Sequence, residues 1–230
     1  MRTLVIGDIH GCLGALECLL TAAEVRHDDL LITLGDYVDR GPQSKGLLDR
    51  LLAMRERCQL VSLKGNHDLM MLAAREDLQH FNEWLVSGGK DTLQSYGADI
   101  DWPTLTQAVP PEHWRFLEEE CVAYYETDRH FFVHANVYPD LALAEQPDYM
   151  LFWEKLERGA WRPHESGKVM VCGHSAQRSG RPMVFKRAVC IDTWVYGEGW
   201  LTCLDVEMEV YWQANQRGES RMGNLQFRSR

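Results

Sequence analysis

Three short apolar runs, Thr3–Ile6, Leu30–Leu34 and Leu60–Leu63, recur early in the chain, and each leads straight into a polar, glycine-containing block. Runs this short and this continuously apolar predict strands buried on both faces. A helix-like segment follows each block. After the second, Pro42 stands where a first helical turn tolerates proline, and Leu47, Leu48, Leu51, Leu52 and Met54 recur at helical spacing. This rhythm predicts βαβ units on a parallel sheet. The polar blocks then fall at the C-terminal ends of strands, where open α/β sheets place their ligands.

Between Asn66 and Glu126 the pattern is mostly helical, broken by turn signals at Gly88-Gly89, Gly97 and Pro110-Pro111. Residues 69–126 are therefore expected to form a helical insertion that walls one side of the site. Strand signals return at His130–His134, Val169–Cys172, Ala188–Ile191, Leu201–Val206 and Glu209–Trp212. The last two flank Glu207-Met208 and are spaced to pair as a hairpin, although the turn lacks the usual Asn-Gly chemistry. From Gln213 onward the chain is polar, partly basic and without periodicity. The expectation is one domain over residues 1–212 and a polar surface tail over 213–230.

The net charge of -10 argues against a nucleic-acid partner, which calls for a clustered basic face. An anionic substrate must then be drawn in by local positive charge. Seven cysteines form an odd set with no CxxC pair, which predicts reduced thiols rather than disulfides or a thiolate zinc site. The first apolar run follows only Met1 and Arg2, leaving no room for a signal peptide, and no run approaches the roughly 18 apolar residues of a membrane span. A cytoplasmic protein with no membrane partner is expected.

The polar blocks carry the chemistry. Gly7-Asp8-Ile9-His10-Gly11, Gly35-Asp36-Tyr37-Val38-Asp39-Arg40-Gly41 and Gly65-Asn66-His67-Asp68 each end a predicted strand. Later, Phe132-Val133-His134-Ala135 and Cys172-Gly173-His174-Ser175 do the same. Carboxylate, imidazole and amide oxygen together suit Mn²⁺, with Fe or Zn²⁺ as alternatives, better than Ca²⁺. Asp8 and His10, two apart at a strand end, face the same way and can grip one ion. Two such ions about 3.5–4 Å apart can share a hydroxide and clamp a phosphoryl group. Asp36 is the best placed carboxylate to bridge them.

These five blocks resemble those of the calcineurin-like metallophosphoesterases, and within them the PPP-type serine/threonine phosphatases, especially the short bacterial and bacteriophage lambda-type members. The resemblance implies an α/β fold in which two β-sheets pack as a sandwich between flanking helices, four layers ordered αββα, with a dimetal site at C-terminal strand ends. It further implies that Asp8, His10 and Asp36 hold one metal, and that Asp36, Asn66, His134 and His174 hold the other. His67 would be the general acid, oriented by Asp39, while a hydroxide bridging the metals attacks. Arg40 would hold two phosphate oxygens in a fork that lysine cannot reproduce. Two divalent ions against Asp8, Asp36 and a hydroxide leave about one positive charge, to which Arg40 adds another, matching a phosphate dianion.

The chain departs from that pattern in places. Where these phosphatases usually carry a second phosphate-binding arginine, the run reads Phe152-Trp153-Glu154-Lys155, so Lys155 is the candidate, with Arg158 and Arg162 as nearby rivals. Ala135-Asn136 and Ser175-Ala176 follow the two later histidines where the family usually has Ala-Gly and Thr-Pro. Trp194, Tyr196 and Trp200 fall in a glycine-rich segment expected to overhang the site. His27, His80, His113, His130 and His164 lack ligand-like partners and are assigned to packing or the surface, and Cys12 to packing.

The implied function is a phosphomonoesterase acting on phosphoserine or phosphothreonine in proteins, or on small phosphoesters. The alternative is hydrolysis of dinucleoside polyphosphates on the same centre. Symmetrical diadenosine tetraphosphatases resemble this chain in Gly-Asp-Ile-His-Gly and around Cys190-Ile191-Asp192-Thr193, but many carry alanine where Asp39 stands. A non-catalytic metal binder would not need His67 and Asp39 beside all six ligands.

Overall fold

The computed structural model describes residues 1–225 except Arg158 and Ala160. The three early runs form β1 (Thr3–Ile6), β2 (Leu30–Thr33) and β3 (Gln59–Ser62), joined by α1 (Leu13–Ala22) and α2 (Ser44–Met54). β1, β2 and β3 pair in parallel, Thr3 opposite Leu30 and Leu30 opposite Gln59. The insertion follows as α3 (Asn66–Ala74), α4 (Leu78–Trp84), a π-helical turn (Leu85–Gly89), α5 (Lys90–Ser95), α6 (Trp102–Ala108), α7 (Pro111–Arg115) and a second π-helical turn (Phe116–Glu120). The remainder is β4 (Tyr124–Glu126), β5 (His130–Val133), a 3₁₀ turn (Leu143–Glu145), α8 (Asp148–Phe152), β6 (Val169–Cys172), β7 (Met183–Phe185), β8 (Ala188–Cys190), β9 (Leu201–Asp205), β10 (Val210–Ala214) and β11 (Ser220–Asn224).

Two mixed sheets result, one ordered β11-β10-β9-β1-β2-β3 and the other β4-β5-β6-β8-β7. Alternation along each strand decides how they stack. Val5, Ile32, Phe132, Val171 and Val189 turn inward and fill one core between the sheets. Their neighbours Leu4, Ile6 and Leu31 turn outward onto α1 and α2, where Leu16, Leu19, Leu47 and Leu51 meet them. On the other side Phe131, Val133, Met170 and Cys172 pack with Leu151 and Phe152 of α8. The four-layer αββα sandwich implied by the family resemblance is what forms. Strands apolar on both faces, which periodicity reads as one buried parallel sheet, are buried here between a second sheet and a helix layer.

Residues 213–224 are not a surface tail, contrary to expectation. Gln213 and Ala214 complete β10, and β11 pairs antiparallel with it, Ala214 opposite Ser220 and Val210 opposite Asn224. The polar composition that suggested a tail belongs to an edge strand, exposed at Ser220, Arg221 and Met222. β4 and β7, also unpredicted, are three-residue strands at the two edges of the other sheet. The predicted β9–β10 hairpin forms. Asp205 Oδ1 accepts from the backbone N–H groups of Glu207 and Met208, both at 3.0 Å, supplying the turn chemistry that Asn-Gly would have given.

The seven cysteines are all free. Among the described residues no helix is long and apolar enough to cross a membrane. Phe132 lies fully buried between the sheets. Phe132→Ala is expected to cost about 3–5 kcal/mol, read from the shift in a urea unfolding midpoint.

Candidate metal centre

Five parallel strands deliver their C-terminal loops to one end of the sandwich. Asp8 and His10 follow β1, Asp36, Asp39 and Arg40 follow β2, Asn66 and His67 open α3 after β3, His134 follows β5 and His174 follows β6. The loops are tied together by their backbones: His10 N–H donates to Asp36 O at 2.8 Å, Gly11 N–H to Tyr37 O at 2.8 Å, and Gly173 N–H to His134 O at 2.8 Å. His10, Asp36, Asp39, Arg40 and His174 all take positive φ, between 47° and 72°. Such backbone costs on the order of 1–3 kcal/mol per residue and persists where surrounding contacts over-determine it. Two glycines make the approach possible. A Cβ at Gly65 would run into Asp36 Oδ1, and one at Gly173 into Asp8 Oδ1.

The donor atoms form two groups sharing Asp36. One joins His10, Asp36 and His67; the other joins Asp8, Asp36 and His134, each with its donor atoms within 4.8 Å of one another. Asp36 Oδ2 lies 3.3 Å from His10 Nε2, while Oδ1 lies 3.6 Å from His134 Nε2. The two carboxylate oxygens thus face opposite groups, as a bridge requires. Asn66 Oδ1 sits 3.0 Å from His134 Nε2 and 2.9 Å from His174 Nδ1.

The hydrogen bonds behind the rings show what this arrangement fits. His10 Nδ1–H donates to Val38 O at 2.9 Å, His134 Nδ1–H to Leu34 O at 2.8 Å and His174 Nε2–H to Trp153 O at 3.0 Å. Each inward nitrogen is then a bare lone pair. Burial holds all three imidazoles neutral, lowering His10 well below its ordinary range, lowering His134, and taking His174 down to about 4. Burial opposes the charge on Asp36, yet beside the His67 ring, whose own pKa is raised, its carboxyl is held well below the usual range. Lone pairs of nitrogen, carboxylate and amide oxygen therefore converge with no proton between them. Cations satisfy such a set, and the Arg40 guanidinium already lies 2.9 Å from His10 Nε2. The residues fit two divalent ions.

Beside this set, His67 Nδ1–H donates to Asp39 Oδ2 at 2.7 Å. Asp39 is fully buried. Burial raises its carboxyl pKa, but the carboxylate also accepts from Trp84 Nε1–H at 2.9 and 3.0 Å and from the Thr92 hydroxyl at 2.8 Å. For His67, burial alone would favour the neutral ring; the charges of Asp36 and Asp39 and the Asp39 hydrogen bond outweigh it and raise the pKa. His67 is thus the one imidazole of this cluster that its surroundings support in carrying a proton.

The sequence profile of the calcineurin-like phosphoesterase family matches residues 1–199. The chain belongs to this family. Among curated proteins, it is 34% identical over 153 residues to a symmetrical bis(5'-nucleosyl)-tetraphosphatase of Pseudomonas fluorescens strain Pf0-1, covering 65% of this chain and 46% of that protein. A match of 36% over 143 residues to the tetraphosphatase of Pseudomonas syringae covers 60% of this chain and 42% of that protein. The chain thus spans about half the length of these relatives. A serine/threonine-protein phosphatase 1 of Salmonella typhimurium is 42% identical over 88 residues, 37% of this chain and 38% of that one. Among solved structures, one suggested to be a diadenosine tetraphosphatase shares the fold with a TM-score of 0.67 at 19% identity, over 97% of this chain and 93% of its own. A cold-active protein-tyrosine phosphatase of a psychrophilic Shewanella shares it at 0.63 and 14% identity, over 96% and 80%.

Within this metallophosphoesterase, a cavity of about 380 Å³ opens over Asp36, Asn66, His67 and His174, with Arg40, Lys155, Arg178 and Tyr196 around it. Lys155 lines both this cavity and the neighbouring cleft, Arg162 lines the neighbouring cleft alone, and Arg158 lies outside the described residues. Of the aromatic loop only Tyr196 lines the cavity; its ring lies 4.8 Å edge-on from His10, and the Arg40 guanidinium sits 4.5 Å above it. A larger groove of about 480 Å³, containing Arg129, His130 and Lys168, lies at the opposite end of the strands and holds none of these donors. Cys12 is packing, as expected: burial pushes its thiol up to about 12. His113 is packing too, between Asp49 at 3.0 Å and the Tyr96 hydroxyl at 2.7 Å.

Several participants escaped the sequence reading. Asp68 is buried and accepts from the N–H groups of Asp36 (2.8 Å), Tyr37 (3.0 Å) and Gly65 (2.8 Å), clamping two loops. Burial, then the Asp36 charge, pushes its carboxyl up to about 8. Its place three residues into α3 was the available signal. Asp192, two residues past the end of β8, is buried against Asp8, and burial takes it up to about 6; it stands as far past its strand as Asp8 stands past β1. Trp84 and Thr92 left no signal, because only folding brings the insertion to Asp39.

Asp36→Asn is expected to release both ions, since one carboxylate serves two groups. Metal analysis after dialysis that still finds two ions per chain would contradict the bridge. Trp84→Phe removes one donor to the Asp39 carboxylate while keeping most of the ring volume. It should lower phosphoester turnover by about tenfold with metal content unchanged, in line with losing one hydrogen bond to a charged group.

Proposed function

We propose that this protein is a dimetal-dependent phosphoester hydrolase that cleaves dinucleoside polyphosphates, with a dinucleoside tetraphosphate split symmetrically as its substrate. The observation that carries the hydrolytic reading is the Asp36 carboxylate, its oxygens 3.3 Å from His10 and 3.6 Å from His134, beside the His67–Asp39 pair. The choice of substrate rests on the tetraphosphatases among its relatives and on a cavity with Arg40, Lys155 and Arg178 along its walls. A tetraphosphate chain brings more negative charge than one phosphate, and these cations are placed to meet it.

Asp8, His10 and Asp36 would hold one ion, and Asp36, Asn66, His134 and His174 the other. When bound, the two ions supply Lewis acidity and a water acidic enough to attack phosphorus near neutral pH. The chain's own groups do the rest. Arg40, with five donors in a fixed fork, binds and orients the reacting phosphoryl oxygens. Asp39 fixes the His67 ring so that Nε2 carries a proton to the departing oxygen. Asn66 opens α3 beside His67, so one turn of chain places both a metal ligand and the acid.

A second reading, cleavage of phosphoserine or phosphothreonine in proteins, is favoured by the 2.7 Å His67–Asp39 contact. A serine alkoxide is a strong base that needs a proton as it leaves, whereas a nucleoside diphosphate leaves as a much weaker base. The two readings separate on one variant. His67→Ala should cut phosphoserine-peptide turnover by about 10²–10⁴-fold but diadenosine tetraphosphate turnover by no more than about tenfold. With wild-type protein reconstituted in Mn²⁺, diadenosine tetraphosphate should give adenosine diphosphate as its sole nucleotide product, at a higher kcat/KM than the peptide. A higher value for the peptide would replace the first reading with the second, and activity surviving exhaustive chelation would sink both.

A further inference from the structure

The phosphate-binding arginine expected near residue 155 is a lysine, and the structure offers another guanidinium in its stead. Arg178 lies four residues after His174 in a turn whose backbone is pinned on both sides, Gln177 N–H donating to Asp192 O and Gly180 N–H to Gln177 O, each at 2.9 Å. Its side chain is exposed and lines the same cavity as Asp36, His67 and Tyr196. Among the described residues no carboxylate lies within ion-pair distance of it. Its guanidinium rests 5.3 Å from the centre of the Trp194 ring, a contact that limits where the fork can point without neutralising its charge. Besides Asp36, the acidic side chain on the cavity wall is Glu157, and Lys155 stands two residues before it.

A single phosphoryl group over the donor set is already met by Arg40 and the ions. Phosphates further along a chain extend beyond them, each bringing roughly one more negative charge, and need a second group able to grip two oxygens at once. Resting on the polyphosphate reading above, we propose that Arg178 is a specificity-determining residue that binds the phosphates remote from the reacting phosphorus. Its fork gives this cavity its preference for a polyphosphate chain over an isolated phosphate. Lys155 adds a point charge to the same chain without fixing its direction.

The test reads binding without requiring turnover of a dinucleotide. Orthophosphate and tripolyphosphate are compared as inhibitors of aryl phosphate hydrolysis, with Mn²⁺ in excess of total phosphate, for wild type, Arg178→Ala and Arg178→Lys. Wild type should prefer tripolyphosphate. Arg178→Ala should shrink that preference by about tenfold or more, and Arg178→Lys should restore only part of it, because the bidentate geometry is lost. An undiminished preference in Arg178→Ala, or equal weakening of both inhibitors, would overturn the assignment. Circular dichroism of the variants checks that this exposed substitution leaves the fold intact. If wild type fails to cleave diadenosine tetraphosphate yet shows the Arg178-dependent preference, the substrate reading fails and the role of Arg178 stands.

Discussion

Everything at the open end of this sandwich depends on one buried carboxylate. Asp36 is 1% exposed, takes a positive φ of 53°, and directs its two oxygens at two different sets of lone pairs. Burial by itself would favour the neutral acid, yet the carboxyl lies well below the usual range beside the His67 ring, the one supported in carrying a proton, whose backbone N–H also donates to Oδ1. The same residue is tied through its backbone: its carbonyl accepts from Ile9 and His10, its N–H donates to Asp68 Oδ2, and its Oδ1 accepts from the N–H of His67. The loops after β1, β2 and β3 therefore cannot move independently of this carboxylate. That rigidity is what a pair of closely spaced cations demands of its cage.

The helical insertion belongs to the chemistry as much as to the packing. Trp84 and Thr92 both donate to Asp39, and the π-helical turn between them carries Gly88 and Gly89. A Cβ at Gly89 would run into the Trp84 ring, and one at Gly88 would crowd Arg40 at 3.0 Å. The turn accordingly fixes the indole behind Asp39 and the backbone beside Arg40 together. A segment that walls the site thus also holds the Asp39 carboxylate behind the His67 ring and borders the backbone of Arg40.

Charge is distributed to the same end. The chain carries a net charge of -10, yet Arg40, Lys155 and Arg178 gather on one cavity rim. All three are exposed at the cavity mouth, so their local field opposes the chain's overall negative charge at this one rim.

The convergence of these donors was legible in the sequence because each comes soon after a strand-forming run, and a parallel sheet delivers such positions to one edge whatever lies between. Asp8, His10, Asp36, Asn66, His134 and His174 converge for that reason, as do Asp39, Arg40 and His67. The central strands were legible because burial on both faces demands continuous apolar residues. The edge strands β4, β7 and β11 were not: β4 and β7 are only three residues long, too short for a periodic signal, and β11 faces solvent with polar residues. The partners of Asp39 were equally hidden: Trp84 and Thr92 stand 45 and 53 residues away from it. Arg178 looks like any surface arginine until the turn after His174 aims it at the cavity. Sequence by itself determined which donors exist and which strand ends present them, because both are local properties of a few residues. Only the tertiary structure decided which groups support those donors and which cations line the cavity beside them, because those contacts join segments with no periodic or neighbour relation along the chain.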